Sequence, residues 1–291
     1  MLTPPYKTEA GPPSPSQADF ARQAATEFKE LLATSPNERT VQLFLEQHPL
    51  LLPGAWTPGF RSGHSPLFGL CVTQPPLTGI SPKVPDFMWI SSHSAAWFPT
   101  LIEIERPDKR FFTAAGLPTA DFSQAHNQLA QWRAWFAKPE NQLIFAREYG
   151  VPDEFTKCIP MKVSLLLIYG RRSEFTSERE LQTQRANIAL APDEELMSFD
   201  RLTPDLHLSQ AITARAIGAG KFHACAIQPT FAPGPASAKD YLSIDGLDEA
   251  IEACLGITSA RKEFLKRRVK YWKNWAASTE SHSVIEVGLR E

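Results

Sequence analysis

The chain has 291 residues, 43% of them hydrophobic, and a formal charge of −2. That length and apolar content can bury one large core or two modest ones, and the charge excludes a uniformly basic nucleic-acid-coating protein, so any nucleic-acid contact must come from a local patch. No apolar run approaches the ~18–20 residues that span a bilayer, Cys71, Cys158, Cys225 and Cys254 show no C-x-x-C spacing, and no charged-then-apolar leader opens the chain, so a protein of the reducing cytoplasm without a membrane span is expected.

Residues 1–18 are rich in proline, with no periodic apolar set, and read as a disordered arm. From Asp19 to Leu32, Phe20, Ala24, Phe28 and Leu31 or Leu32 recur at helical spacing. Ser35-Pro36-Asn37-Glu38 then starts a second helix, which Pro49 stops after His48. Glu46 lies on its last turn, an exposed acid unless the fold brings it beneath other carboxylates. Pro53 to Pro82 reads as loop, with one strand at Leu67 to Thr73.

The stretch Val84 to Pro107, VPDFMWISSHSAAWFPTLIEIERP, holds two apolar strands joined by a polar bend. Leu101, Glu103 and Glu105 share one face of the second strand, and Ile102, Ile104 and Arg106 the other. Acids at i and i+2 lie about 7 Å apart at Cα. They are near enough to reach one hard cation and too near to sit unpaired in a dry core. In an antiparallel hairpin Asp86 joins them. The result resembles the acidic layout of the PD-(D/E)xK nuclease fold, with Glu105 in the lysine's place. The same pattern suits an edge hairpin whose acids face water, or Lys109 and Arg110 just beyond it. Those two cations suit a solvated turn and a phosphate contact equally.

Asp121 to Ala137 reads as a helix capped by Asp121 or Ser123, with Ala125, Leu129, Trp132 and Phe136 on one stripe and Gln128 beside it. Met161 to Tyr169 is a strand apolar on both faces, closed by Gly170-Arg171-Arg172. Glu178 to Ala186 and Asp193 to Met197 read as short helices. After Pro204, Phe222 to Gln228 is a strand and Leu247 to Leu255 a helix. Arg261 to Trp275 is a basic helix with Phe264, Tyr271 and Trp272 on its apolar face. Its Lys266, Arg267 and Lys270 suit the solvated side of a packed helix or a DNA backbone contact. The sum is an α/β chain, a mixed sheet flanked by helices, with a helical N-terminal extension and an α+β C-terminal extension over residues 205–291.

The segments FLEQHPLLL, VPDFMWI, LIEIERP, AHNQLAQWRAWF, LLLIYGRRSEF and MSFDRL follow one another as in the Shedu family of bacterial anti-phage proteins, which the chain resembles from about Glu38 to Pro204. The resemblance implies a restriction-endonuclease-like domain over residues 19–204, with its core at 38–204, acting on DNA and assembling as a homo-oligomer. It places Asp86 and Glu103 on a divalent cation, Mg²⁺ or Mn²⁺, Gln128 near the scissile phosphate, and Glu46 where an acid of the first helix completes the metal shell. Arg171 and Arg172 fall on strand-end cations without an assigned role. The family's Glu-x-Lys is here Glu103-Ile104-Glu105, where a glutamate adds a ligand or a base. Arg106 points to the opposite face, which leaves Lys83, Lys109 and Arg110 to supply the missing charge. The expected function is a metal-dependent endonuclease or nickase. Alternatives are a catalytically decayed DNA-binding or DNA-end-sensing module and a partner-regulated assembly component.

Overall fold

The structure, a computed structural model, describes residues 6–56, 66–176, 179–278 and 290–291. Helix α1 (Gln17–Ala33) starts where Ser16 Oγ accepts the Asp19 amide, and buries Phe20, Ala24, Phe28 and Leu32 at intervals of one turn. Asn37 caps α2 (Glu38–Gln47) through the Thr40 amide. A single 3₁₀ turn from Leu67 to Gly69 shortens the expected first strand to β1 (Leu70–Thr73).

The acidic hairpin is β2 (Phe87–His93) and β3 (Ala96–Ile104). It is followed by α3 (Ala120–Phe136), α4 (Pro139–Glu148), α5 (Asp153–Cys158), β4 (Ser164–Ile168), α6 (Ser173–Thr176) and α7 (Arg179–Ala186). Next come β5 (Glu194–Met197), β6 (Ile212–Gly218), β7 (Lys221–Ile227), β8 (Ile244–Asp245), α8 (Leu247–Ala253) and α9 (Ser259–Ala277). Among the described residues these eight strands form one mixed sheet in the order β5-β4-β3-β2-β1-β6-β7-β8. The β3–β4 and β4–β5 pairs are parallel, whereas β1–β2 and β2–β3 are antiparallel. The C-terminal extension joins edge to edge, because β6 pairs with β1 in parallel.

Strand alternation sorts side chains into two cores. Met88, Ile90, Leu101, Leu165 and Leu167 pack with Phe122, Leu129 and Trp132 of α3. Phe87, Trp89, Ile102, Ile104, Leu166 and Ile168 pack with α1 and α2. The apolar run of β4 thus serves both faces. Among the described residues no helix is long and apolar enough to cross a membrane.

Three local expectations are corrected. Residues 194–197 are a strand, not a helix: the acids that suggest a helix start are held by α3, with Arg133 on Asp193 and Glu194, and Leu196 and Met197 fill opposite cores. The cap of α3 is Thr119, whose Oγ1 accepts the Phe122 amide, rather than Asp121 or Ser123. The proline-rich segment is no free arm from Tyr6 onward, but lies against α9. Tyr6 is buried edge-on to Trp272 and Trp275, each 5.5 Å away. Glu9 pairs with Arg267 and with buried Arg268, and the Lys7 and Pro12 carbonyls accept bonds from Arg268 and Arg261. One aromatic and a few charge-assisted bonds suffice where an apolar stripe is missing. Tyr6→Ala should therefore cost about 2–3 kcal/mol, read as a lower melting temperature and faster proteolysis before Gln17.

Candidate active site

The hairpin register pairs Phe87 with Ile102. The regular pairing ends there, because the Asp86 N–H also turns to Ile102 rather than to Glu103, and Asp86 meets Glu103 through their side chains. Backbone bonds fix the Asp86 end of the hairpin: its N–H donates to the Ile102 carbonyl (3.1 Å) and its carbonyl accepts from Gln74 N–H (2.8 Å). The Ile104 N–H donates to Asp86 Oδ2 at 2.8 Å. Glu103 lies opposite Leu167 of β4, and the Glu105 N–H donates to the Ile168 carbonyl at 3.1 Å, so the strand end is held from both sides.

Burial pushes the Asp86 carboxyl up to about 7, with the Glu38 and Glu105 charges adding to it and the Ile104 N–H opposing it. Glu103 is driven well above the usual carboxylate range, first by burial and then by the charges of Asp86, Glu105 and Glu38. The two carboxyls share a hydrogen bond that favours a charged Asp86 and a protonated Glu103. Paired acids that cannot both ionise freely are the signature of a site built to hold charge.

Glu38, in the first turn of α2, is the acid that sequence reading passed over. Burial and then the Glu105 charge raise its carboxyl above the ordinary value, and a side-chain hydrogen bond joins it to Glu105. Its sequence signal was the Asn37 cap, which announced a helix start but not what that start would face. Lys109 Nζ donates to Glu105 Oε2 at 2.5 Å, with both side chains mostly buried. Burial alone would depress this lysine, but the Glu105 bond and charge hold its ammonium above the usual lysine value. Of the three cations considered for the missing charge, Lys109 is the one paired with Glu105. Lys83 reaches Gln131 of α3, and Arg110 stands 3.7 Å from Glu174.

Glu46 is placed elsewhere. It accepts the Thr73 hydroxyl at 2.7 Å and lies near Cys71 and Cys225, whose thiols its charge helps push up after burial. Thr73 alternates with Val72 and shares the face of Cys71, on the side of α1 and α2, while Glu103 shares parity with Leu101 on the side of α3. Among the described residues the Glu46 carboxylate is bonded to Thr73, whereas Glu38 is the α2 acid whose charge acts on Asp86 and Glu103. Gln128 is half-buried on α3 and makes no hydrogen bond to the acids among the described residues. Arg171 grips Asp200 and the Leu32 carbonyl, tying β4 to α1, and the Arg172 amide donates to the same Asp200. On α9, Lys266 pairs with Glu252 and Glu263, and Arg267 with Glu9, while Lys270 is exposed. Changing all three to glutamine should therefore alter the log–log salt dependence of DNA binding by no more than about 0.9, the share of one cation.

Among the described residues, no three His, Cys, Asp or Glu side chains converge tightly enough to enclose a metal ion. Two adjacent oxygen donors are nonetheless what Mg²⁺ takes when water and a substrate phosphate complete its shell. Asp86 and Glu103 fit that need, with Glu105 and Glu38 at the rim.

No curated protein matches the chain. Residues 35–203 match the family model described as Shedu protein SduA, C-terminal, and that span contains Glu38, Asp86, Glu103, Glu105 and Lys109. With more than half of its length matched, the chain belongs to the Shedu family.

Proposed function

We propose that this chain is a divalent-metal-dependent DNA endonuclease or nickase of anti-phage defence, with a restriction-endonuclease-like core over residues 38–204. The observation that carries the reading is the half-buried Asp86–Glu103 pair at the end of a mixed sheet, ringed by Glu38, Glu105 and Lys109. A purely structural role would not keep mutually repelling, half-buried carboxylates together. Asp86 and Glu103, once deprotonated, would hold the ion. Bound there, Mg²⁺ or Mn²⁺ supplies Lewis acidity toward the phosphoryl oxygens. Glu105 would accept the proton of the attacking water. Lys109 would hold the Glu105 carboxylate in place and set positive charge beside the transition state. Gln128, Lys83, Arg110 and Arg172 are offered as DNA contacts around this edge, in a homo-oligomer of the cytoplasm.

The test is conversion of supercoiled plasmid to open circle with Mg²⁺ or Mn²⁺ and its suppression by EDTA. Wild type silent with both ions on supercoiled, linear and single-stranded DNA would overturn the enzymatic reading. In that event the Glu105–Lys109 pair favours a DNA-binding module that does not cleave.

The raised carboxyls also set a pH dependence. A cation must displace the proton shared by the pair, so Mn²⁺ binding should strengthen as pH rises through about 7. Titration calorimetry in buffers of different ionisation enthalpy should show more proton release at pH 6 than at pH 8, because Asp86 gives up its own proton between them. Proton release that stays the same across this range would remove Asp86 from the ion's shell.

A further inference from the structure

Glu174, on α6, sets a carboxylate among aromatic rings. Its side chain is 6% exposed, and the residue after it, Phe175, is buried with its ring centroid 5.2 Å from that of Phe111 and 6.3 Å from that of Phe112. Among the described residues its ion-pair partner is Arg110, 3.7 Å away and itself 58% exposed. The carboxylate is occupied instead by backbone: the Phe111 N–H donates to Oε2 at 3.0 Å and the Phe112 N–H to Oε1 at 3.1 Å. Two consecutive amides on the two oxygens of one carboxylate are charge-assisted bonds of the kind that offset the cost of burying a charge. A hydroxyl or an amide side chain would satisfy one of these N–H groups, whereas a carboxylate offers an oxygen to each and presents no donor.

The loop held in this way is the one that carries Lys109. The Arg110 carbonyl accepts from Thr119 Oγ1 at 2.8 Å and from Tyr169 Oη at 3.3 Å, so Arg110, Phe111 and Phe112 each have a backbone group tied to a side chain of another element. Gly170 has φ +61°, and a Cβ there would stand 2.8 Å from the Lys109 carbonyl oxygen, so the end of β4 passes directly against the loop. The long stem of a lysine leaves its ammonium free to wander unless the backbone beneath it is fixed. Here Lys109 Nζ donates to Glu105 Oε2 at 2.5 Å, and Glu105 is held by its own backbone bond to Ile168. The stretch from Ile168 to Glu174 thus fixes both members of the pair: Ile168 holds the carboxylate side, and Tyr169, Gly170 and Glu174 hold the ammonium side. The Phe111 ring packs against Phe122, Tyr169 and Phe175, and the amide bonds to Glu174 set how the backbone enters that packing from Lys109.

We propose that Glu174 is a positioning residue of the acid cluster: by accepting the Phe111 and Phe112 amides it fixes the loop from which Lys109 meets Glu105. The proposal rests on the nuclease reading above and adds to it the side chain that sets the cation against the acids.

The test uses the full chain and begins without metal or DNA. Lysines are acylated with an N-hydroxysuccinimide ester at pH 8 and read by peptide mass spectrometry. Lys109, 25% exposed in its pair, should react about tenfold faster in Glu174→Ala, the order expected when a charge-assisted bond holding its loop is lost. Lys262, 16% exposed on α9, should react at the wild-type rate. Should Glu174→Ala lose its melting transition, Glu174→Gln, which keeps one acceptor, carries the same comparison with a smaller rise. An unchanged Lys109, or a rise that Lys262 shares in both variants, would overturn the proposal. Nicking is then read as a cycle with Lys109→Ala. Glu174→Ala alone should lower kcat about tenfold with KM for plasmid unchanged. Added to Lys109→Ala it should cost nothing further, because the cation it places is already gone. Losses that multiply would assign Glu174 to the fold at large and overturn the proposal as well. A wild type silent on DNA whose Lys109 still responds would overturn the nuclease reading and leave the placement of Lys109 by Glu174 standing.

Discussion

Glu103→Gln should abolish divalent-dependent nicking and, in the cation-free protein at pH 8, raise rather than lower the melting temperature. The two effects share one cause. Burial and the charges of Asp86, Glu105 and Glu38 push the Glu103 carboxyl well above the usual carboxylate range and so favour its neutral form, which glutamine reproduces while still donating to Asp86. The neutral amide is a poor ligand for a hard cation. Loss of about 4 kcal/mol of charge stabilisation corresponds to roughly a thousandfold in rate. The sign of the stability effect follows from linkage. The folded-state carboxyls lie above their unfolded values, so between those values the native state holds more protons than the unfolded chain. Their stabilisation is complete at low pH and is lost as pH rises through the folded value, about 7 for Asp86. Removing one of the acids should therefore help most at pH 8 and least near pH 5. Asp86→Asn should behave alike, since its amide oxygen can still accept the Ile104 N–H. Scanning fluorimetry at the two pH values, with and without Mn²⁺, reads stability, and the plasmid gel reads activity. A variant that nicks at wild-type rate, or one that gains more at pH 5 than at pH 8, would remove Glu103 from the metal site.

The sequence showed the hairpin well because its information is local. The period-2 run Leu101 to Arg106 fixes which side chains share a face, and the bend fixes the register that brings the Asp86 end of β2 beside the end of β3. The doubly apolar β4 and the aromatic face of α9 were legible for the same reason. What failed was decided at long range. The run around Glu194 has the acids of a helix start, and only pairing with β4 makes it a strand. Strand β6 was passed over because its outer half alternates in burial without strong apolar residues. Glu46 and Glu38 stand on one helix, and which of them meets Asp86 depends on which end of α2 reaches the end of β3. The ionic anchoring of Tyr6 to Pro12 could not be read from a segment whose partners lie on α9.

The exchange Glu105→Lys with Lys109→Glu should keep nicking within about tenfold of wild type, although each single change lowers it by roughly a hundredfold or more. The expectation rests on the ion pair that joins these side chains across one turn of chain. Glu105 is fixed by its backbone bond to Ile168, so whatever side chain stands at 105 projects over the acid edge. Lysine there gives the Glu-x-Lys arrangement that the resemblance implies, and glutamate at 109 returns the carboxylate from the other side. Either single change breaks the balance. Lys109→Glu adds an acid where Glu38, Asp86, Glu103 and Glu105 already repel one another, and should weaken the fold at pH 8 as well as the activity. Glu105→Lys sets two ammonium groups together and removes the proton acceptor. Rescue in the double variant beyond the product of the single losses would show that the site needs one carboxylate and one ammonium at this edge, whichever residue carries which. Lys109→Ala at wild-type rate would instead make the pair a structural tie, and the positive charge would then have to come from Lys83 or Arg110. A dead exchange beside an active wild type would mean that glutamate at 105 has its own task, as base or ligand, which no residue at 109 can take over.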